Sequence, residues 1–280
     1  MNPEPKQLSP VQTQELPPQI MAALESAYKS RIEGNLEHAI QQLEAVLDET
    51  PGTADLMQYK SRVTLALAIA DLCVVGGDSA KALRTLAAET NLAKATFKII
   101  KAVGTDEEKR IAFRGLVQIR DVYTQLALTG CPAPELDVKE WIIGSPHTLA
   151  GLKGQVVLLE FWATWCKPCE AVFPKLKTLS ETYASQGLVI LALTRHFLAY
   201  GGSQDSQAEE LQLIRDFVRK HAIDFPVGVS EDERMQSAYG ATALPILVLI
   251  DRSGIVRQIT VAPEDEQFKS ALAQCLSASS

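Results

Sequence analysis

The sequence predicts an all-α domain of helical hairpins, followed by an α/β domain with a largely parallel sheet. The chain has 280 residues, a length typical of two domains. Its first half repeats apolar residues at helical spacing, whereas its second half alternates strand-like apolar runs with amphipathic helical segments. Strands that alternate with helices indicate a parallel sheet, and a late hairpin adds antiparallel strands at its edge.

Changes in composition set the expected domain boundaries. Residues 1–18 are rich in proline and polar residues and predict a disordered tail. A helical domain is expected over residues 19–128, and a linker over residues 129–135, where glycine and proline flank Cys131. The α/β domain is then expected over residues 136–280.

The helical half is expected to contain five or six helices in antiparallel hairpins. Ala39, Ile40 and Leu43 lie at helical spacing, and glycine-containing breaks separate the segments. The spacing from Ala39 to Pro51 resembles a tetratricopeptide unit, although the next similar turn, before Ala82, comes at a longer interval. A generic helical bundle explains the pattern equally. The domain is either a platform for a partner protein or a module that only dimerises or packs on its neighbour.

Turn signals divide the second half into alternating elements. Strands are expected over residues 156–162, 188–194, 226–229, 246–250 and 255–260, and helices over residues 167–185, 207–221 and 265–276. The last two strands form a hairpin across residues 251–254, a polar turn that ends in glycine.

Charge and hydropathy exclude several classes of function. The net charge is −7, and no basic stretch offers a surface for nucleic acid. No run of about eighteen apolar residues predicts a membrane span. The first residues lack the apolar core of a signal peptide, so the sequence as printed predicts a cytoplasmic protein. Removal of an export signal would leave a similar beginning, and a periplasmic or extracytoplasmic location therefore stays open.

Two of the five cysteines form the most informative motif. Cys166 and Cys169 are separated by two residues and lie where a predicted strand gives way to a helix. Backbone N–H groups at a helix N-terminus favour a thiolate and lower the pKa of the first thiol below its free value of about 8.5. Because the thiolate is the species that attacks disulfides, the pair is expected to open and close a disulfide reversibly.

The other three cysteines have wide, irregular spacing that does not indicate a disulfide framework. Cys73 and Cys275 are expected to be buried in helices, and Cys131 is expected to be exposed. A zinc site would need a second cysteine pair to complete four ligands, and the sequence has none. We therefore expect neither a metal nor another cofactor.

The residues around the pair resemble a known family. Residues 162–169, Trp-Ala-Thr-Trp-Cys-Lys-Pro-Cys, together with Pro174 and the later Leu244-Pro245, resemble the thioredoxin superfamily. The preceding residues, 134–137 and 149–159, resemble its TlpA/ResA-like branch of thiol–disulfide oxidoreductases. The resemblance extends over about half of the chain. It implies a thioredoxin-like fold and an enzyme that exchanges disulfides with protein substrates and a dithiol electron donor.

The resemblance also assigns roles to residues of the motif. It implies that Cys166 is the attacking thiolate, nearer the helix start and more exposed, and that Cys169 is the buried resolving thiol. The residues between them, Lys167 and Pro168, are expected to tune the reduction potential. Trp165 resembles the aromatic wall beside the disulfide. Two further residues complete the set: Trp162, with core packing as the alternative, and Pro245, which resembles the family's cis-proline.

Glu160 interrupts an apolar strand six residues before Cys166. A buried carboxyl group is costly, and burial raises its pKa. Its position matches the buried acid of thioredoxin that exchanges a proton with the resolving cysteine; a strand-end carboxylate paired with lysine is the alternative. The acid that ResA-type proteins carry three residues after the second cysteine is replaced by Val172.

Arg195 and His196 follow the second predicted strand, at the edge where open α/β sheets place ligands. They line a substrate groove in one interpretation and are charges in a loop in the other, which we favour.

The leading functional hypothesis is a thiol–disulfide oxidoreductase whose helical domain recruits a protein partner. A thiol peroxidase is disfavoured, because that chemistry uses a threonine three residues before the reactive cysteine and this chain has Ala163 there. The other alternative is a helical-repeat adaptor that carries a redox-inert thioredoxin-like module.

Overall fold

The computed structural model describes residues 16–52, 55–197 and 204–278. The chain divides into two compact units between Leu126 and Ala127. Most of the predicted tail, residues 1–15, lies outside the described residues. The predicted boundaries at residues 19–128, 129–135 and 136–280 stay predictions.

The first unit is built from helices. In chain order they are α1 Pro18–Ile32, α2 Leu36–Glu49, α3 Leu56–Val75, α4 Ser79–Val103 and α5 Asp106–Leu128, the last of which continues past the division. Asp55 and Asp78 cap α3 and α4, because each carboxylate accepts a backbone N–H from the first turn, at 2.9 Å. The five helices agree with the sequence prediction, whereas their tetratricopeptide character stays a prediction.

The second unit contains a six-stranded sheet with the order β1-β4-β3-β2-β5-β6. The strands are β1 Glu140–Ile143, β2 Val156–Phe161, β3 Leu188–Arg195, β4 Val227–Ser230, β5 Ile246–Ile250 and β6 Val256–Thr260. Strands β2, β3 and β4 run parallel, and β1, β5 and β6 pair antiparallel with their neighbours. This is the predicted mixed sheet, with β1 as a strand that the sequence pattern did not predict.

Helices cover both faces of the sheet. They are α6 Lys167–Tyr183, α7 Gln204–Lys220, α8 Arg234–Ala238 and α9 Glu266–Ser277, with short 3₁₀ turns at Ala150–Leu152 and Ala184–Gln186. Buried side chains of α6, α7 and α9 form one apolar cluster with the sheet, and α8 contributes to the cluster on the opposite face. Among the described residues of both units, no helix is long and apolar enough to cross a bilayer.

The segment predicted to be a linker is paired with the sheet. The Gly130 N–H donates to the Val256 carbonyl at 2.8 Å, and the Val256 N–H donates to the Cys131 carbonyl at 3.0 Å. The Ala133 N–H donates to the Gly254 carbonyl at 2.9 Å. These bonds satisfy part of the outer edge of β6, which would otherwise present unpaired backbone groups.

Candidate active site

The register of β2 brings the predicted site residues to one edge of the sheet. Phe161, the last residue of β2, lies opposite Leu193 of the parallel β3 and opposite Ile246 of the antiparallel β5. The carboxyl ends of β2 and β3 therefore meet the amino end of β5. Cys166 follows β2, and Pro245 precedes β5, so both come off this edge.

Cys166 and Cys169 are joined by a disulfide, with an S–S distance of 2.03 Å. Cys166 is the N-cap residue of α6, and its sulfur accepts the Cys169 backbone N–H at 3.3 Å. Pro168 lies in the first turn, where a missing N–H costs no helical hydrogen bond. Cys166 is 3% exposed and Cys169 0% exposed, so the expected order of exposure holds but both sulfurs are covered in the disulfide form.

The residues beside the pair differ strongly in exposure. Trp165 is 61% exposed, which is unusual for an indole. Trp162 is fully buried and packs against Phe173 and Phe217, with ring centroids 5.3 and 4.9 Å away. Trp162 is therefore a core residue, whereas Trp165 offers an open ring next to the disulfide.

Lys167 is exposed and already paired. Its Nζ lies 2.8 Å from Glu170 Oε1, one turn along α6, and this contact lowers the pKa of Glu170. The lysine that is expected to tune the reduction potential thus has a carboxylate partner of its own.

Glu160 is fully buried in the middle of the sheet. Strand alternation places it on the same face as Leu158 and Trp162, which belong to the apolar cluster that contains Cys166 and Cys169. Its register neighbours are Ala192 and Leu247. Neither carboxyl oxygen has a hydrogen-bond partner among the described residues. Burial therefore raises the pKa of Glu160 well above its usual range, because nothing compensates the charged form.

Val172, which replaces the second acid of the family pattern, is buried in the apolar cluster around the disulfide. The Leu244–Pro245 peptide bond is cis, and Leu244 is partly buried against the apolar clusters on both faces of the sheet. The backbone that enters β5 is thus anchored beside the disulfide.

The preferred interpretation of Arg195 and His196 as loop charges is wrong for Arg195, which is the last residue of β3, whereas His196 does follow the strand. Arg195 is 9% and His196 6% exposed. The Arg195 Nε–H donates to Gln236 Oε1 at 2.9 Å, and His196 Nδ1 lies 3.3 Å from Glu210 Oε2. The sequence reveals that both follow a strand end, but the partners come from α7 and α8, which sequence spacing does not connect to them.

Phe197 is a site residue that sequence reasoning missed. Its ring lies 5.2 Å from that of Trp165 at an interplanar angle of 84°. It directly follows Arg195 and His196, and the only sequence signal for it is its place after the carboxyl end of β3.

The remaining cysteines are placed as predicted. Cys73 and Cys275 are buried, Cys131 is exposed, and all three are free thiols. Burial raises the pKa of Cys73 and of Cys275. Within the described part of the chain, no group of three or more His, Cys, Asp and Glu side chains is arranged to hold a metal ion.

Comparison with known proteins decides the family. The family model described as Redoxin matches residues 129–275, slightly more than half of the chain. The chain belongs to the redoxin family. Two relatives are named thiol-disulfide oxidoreductase ResA. The one from Bacillus thuringiensis (strain Al Hakam) is 33% identical over 145 residues, 51% of this chain and 76% of the relative. The one from Geobacillus thermodenitrificans (strain NG80-2) is 32% identical over 139 residues, 49% of this chain and 72% of the relative.

Among solved structures, a putative thiol:disulfide interchange protein DsbE from Chlorobium tepidum is 25% identical, with a TM-score of 0.42. That comparison covers 53% of this chain and 97% of the other. This redoxin is a thiol–disulfide oxidoreductase of the TlpA/ResA-like branch of the thioredoxin superfamily. The predictions of family, fold class and enzyme class are confirmed; the roles of individual site residues stay predictions.

The buried carboxyl group makes a prediction about stability. In the oxidised protein, Glu160→Gln is expected to become increasingly more stable than the wild type as pH rises. The native Glu160 keeps its proton while the unfolded chain loses it above a pKa of about 4.3. The contribution of the protonated carboxyl group to the free energy of unfolding of the wild type is therefore greatest below that pH. Between that pH and the raised native pKa, the contribution falls by about 1.4 kcal/mol per pH unit.

The free energy of unfolding is measured by urea denaturation at several pH values from 5 to 8, with tryptophan fluorescence as the signal. All three tryptophans lie in the second unit, so the signal reports that unit alone. Glu181→Gln, at an exposed carboxylate on α6, is the matched control. A constant difference between Glu160→Gln and wild type across this range would show that Glu160 does not hold a proton in the native state.

Proposed function

We propose that this chain exchanges the Cys166–Cys169 disulfide with disulfides and dithiols of polypeptide substrates. The observation that carries the proposal is the position of the Cys166 sulfur at the N-terminus of α6, within reach of the Cys169 N–H. Helix N-terminal N–H groups stabilise a thiolate at this position. The proposal is further supported by the relatives from Bacillus and Geobacillus, which are named thiol-disulfide oxidoreductases.

In the reducing direction, the Cys166 thiolate attacks one sulfur of a substrate disulfide. A mixed disulfide forms, and the other substrate sulfur leaves as a thiolate that takes up a proton. The Cys169 thiol then loses its proton and attacks the Cys166 sulfur, which releases the second substrate thiol and closes the Cys166–Cys169 bond. The substrate gains two electrons and two protons, and a dithiol donor returns them to the enzyme. The same steps in reverse oxidise a substrate dithiol.

Glu160 is proposed as the acceptor of the Cys169 proton. Both residues are fully buried at the same apolar cluster, so water competes poorly with Glu160 for the Cys169 proton. A carboxyl group with a raised pKa is a stronger base once ionised, which suits proton exchange with a thiol near neutral pH. The neighbouring residues Ala192 and Leu247 offer no polar group for this task.

Substrate is proposed to lie along the edge that carries Trp165 and Pro245. The exposed Trp165 ring supplies apolar contact area, and the Leu244 backbone before Pro245 is expected to pair with an extended substrate segment. Lys167 and Pro168 are proposed to tune the reduction potential, Pro168 by stiffening the first turn of α6.

The helical unit is proposed to recruit a protein partner. Its helices α4 and α5 leave Ile99, Val103 and Phe113 exposed, and large exposed apolar side chains are a feature of interaction surfaces.

Cys166→Ser is expected to abolish catalysis of insulin reduction by dithiothreitol, because the attacking sulfur is gone. The rate of insulin reduction is measured from the increase in turbidity as the reduced insulin precipitates. Cys169→Ser that has been reduced and then freed of dithiothreitol is expected to accumulate a mixed disulfide between Cys166 and an insulin chain, visible on a non-reducing gel, because the resolving thiol is absent. Cys131→Ser makes the same substitution at an exposed free cysteine and is expected to retain wild-type turnover. Equal turnover in wild type and Cys166→Ser would remove the proposed function.

Glu160→Gln is expected to slow insulin reduction by about tenfold or more at neutral pH, since a positioned base typically contributes at least that much. The rate measured from pH 5 to 9 is expected to lose the rise with pH that accompanies ionisation of Glu160 in the wild type, because only the ionised carboxylate accepts the Cys169 proton. Glu181→Gln again serves as the control. A pH profile identical to that of the wild type would assign Glu160 to structure alone.

For the helical unit, Val103→Asp is expected to abolish the capture of protein partners by the full chain while insulin reduction is unchanged, because a charge interrupts the apolar surface. Cross-linking in cell extract, compared with the wild-type chain, provides the measurement. An identical set of cross-linked partners would contradict the recruiting role of this surface.

A further inference from the structure

The exposed Trp165 ring is held by a neighbour rather than left free. Phe197 meets it edge to face, with 5.2 Å between ring centroids and 84° between ring planes. Edge-to-face geometry is the favourable arrangement of two aromatic rings, because the positive edge of one meets the negative face of the other. An indole that is 61% exposed thus has one fixed contact beside the disulfide.

Phe197 is in turn fixed from two directions. The guanidinium carbon of Arg195 lies 4.1 Å from the centre of the Phe197 ring, within cation–π distance. The Phe197 backbone N–H donates to Glu210 Oε1 at 2.8 Å. Side chain and backbone are therefore held by separate charged groups, one from the end of β3 and one from α7.

Both anchors are buried and engaged elsewhere in the unit. Arg195 donates to Gln236 of α8 and, through an Nη–H, to the His196 carbonyl at 3.2 Å. Glu210 places its other carboxylate oxygen 3.3 Å from His196 Nδ1. Buried charges with several partners have little freedom to move, so the orientation of Phe197 is set when the protein folds.

We propose that Phe197 is a positioning residue that holds Trp165 as a fixed shelf for the polypeptide that flanks a target disulfide. The proposal rests on the proposed function and names its substrate preference: polypeptide disulfides over small-molecule disulfides. A large disulfide-bearing chain covers the shelf, whereas a small disulfide reaches the sulfur without covering it. An immobile ring binds better because the entropy of ordering it is not lost on association.

Phe197→Ala is expected to lower kcat/KM for insulin reduction by about five- to tenfold, because losing one aromatic pair weakens binding by about that factor. With oxidised glutathione as the small disulfide, kcat/KM is expected to change by less than about twofold. Phe197→Tyr, which keeps the aromatic ring, is expected to restore the wild-type ratio of kcat/KM for insulin to kcat/KM for oxidised glutathione. Tyr28→Ala is the control: it removes a half-exposed aromatic ring on α1 of the first unit and is expected to leave both rates unchanged. Phe197→Leu, with similar apolar volume and no ring, replaces Phe197→Ala if the alanine chain fails to fold.

A double-mutant cycle tests whether Phe197 acts through Trp165. In a Trp165→Ala background, Phe197→Ala is expected to cause no further loss with insulin, because the residue it positions is absent. Acrylamide quenching of Trp165, isolated by subtracting the Trp165→Phe spectrum, is expected to rise in Phe197→Ala independently of activity.

Equal losses with insulin and oxidised glutathione, additive losses in the cycle, or unchanged quenching would each overturn the role of Phe197. A wild-type chain that fails to reduce insulin would instead count against the proposed function, and the quenching measurement would still report whether Phe197 holds Trp165.

Discussion

The pairing of β2 with β3 on one side and β5 on the other is the constraint on which the site depends. Because β3 is parallel and β5 antiparallel to β2, two strand ends and one strand beginning meet at a single edge. Cys166, Phe197 and Pro245 leave the sheet within a few residues of that edge. A register shift of one residue in β2 would turn Glu160 to the opposite face and separate it from the cluster around the disulfide. The strands on both sides of β2 are buried, which makes such a shift very costly. The hydrophobic core therefore fixes the position of Glu160 relative to the disulfide.

Glu160 brings into this core a carboxyl group that has no hydrogen-bond partner among the described residues. An ionised carboxylate without hydrogen bonds is far more costly in an apolar interior than a neutral carboxyl group, which explains why burial holds the proton on it. The strands next to it could have supplied a lysine or a serine, but they supply Ala192 and Leu247. A structural carboxylate would gain stability from such a partner. A group that must take up and release a proton would lose its raised pKa, so the lack of a partner among the described residues favours the chemical role over the structural one.

Much of the second unit follows from the sequence, because its strands are long apolar runs and its helices have strong start signals. The disulfide pair, its place at a helix N-terminus and the burial of Glu160 are all local consequences of residues 156–169. The first unit is predictable in helix number for the same reason. The anchoring of Phe197 is not, since Arg195, Glu210 and Gln236 meet only after β3, α7 and α8 have packed. Strand β1 was missed because its four half-buried residues show no clear alternation.

The proposed role of Cys166 as the attacking thiolate depends more on the backbone than on the adjacent cation. Lys167 is largely exposed and paired with Glu170, so its field at the sulfur is reduced both by its partner and by solvent. The N–H groups of the first turn of α6 are fixed by the helix itself and have no mobile counter-charge. The Cys169 N–H already points at the sulfur in the disulfide form, and the same donor remains available to a thiolate after reduction. The fold therefore supplies a backbone donor to the sulfur that is proposed to react, at the sheet edge where the exposed ring of Trp165 lies.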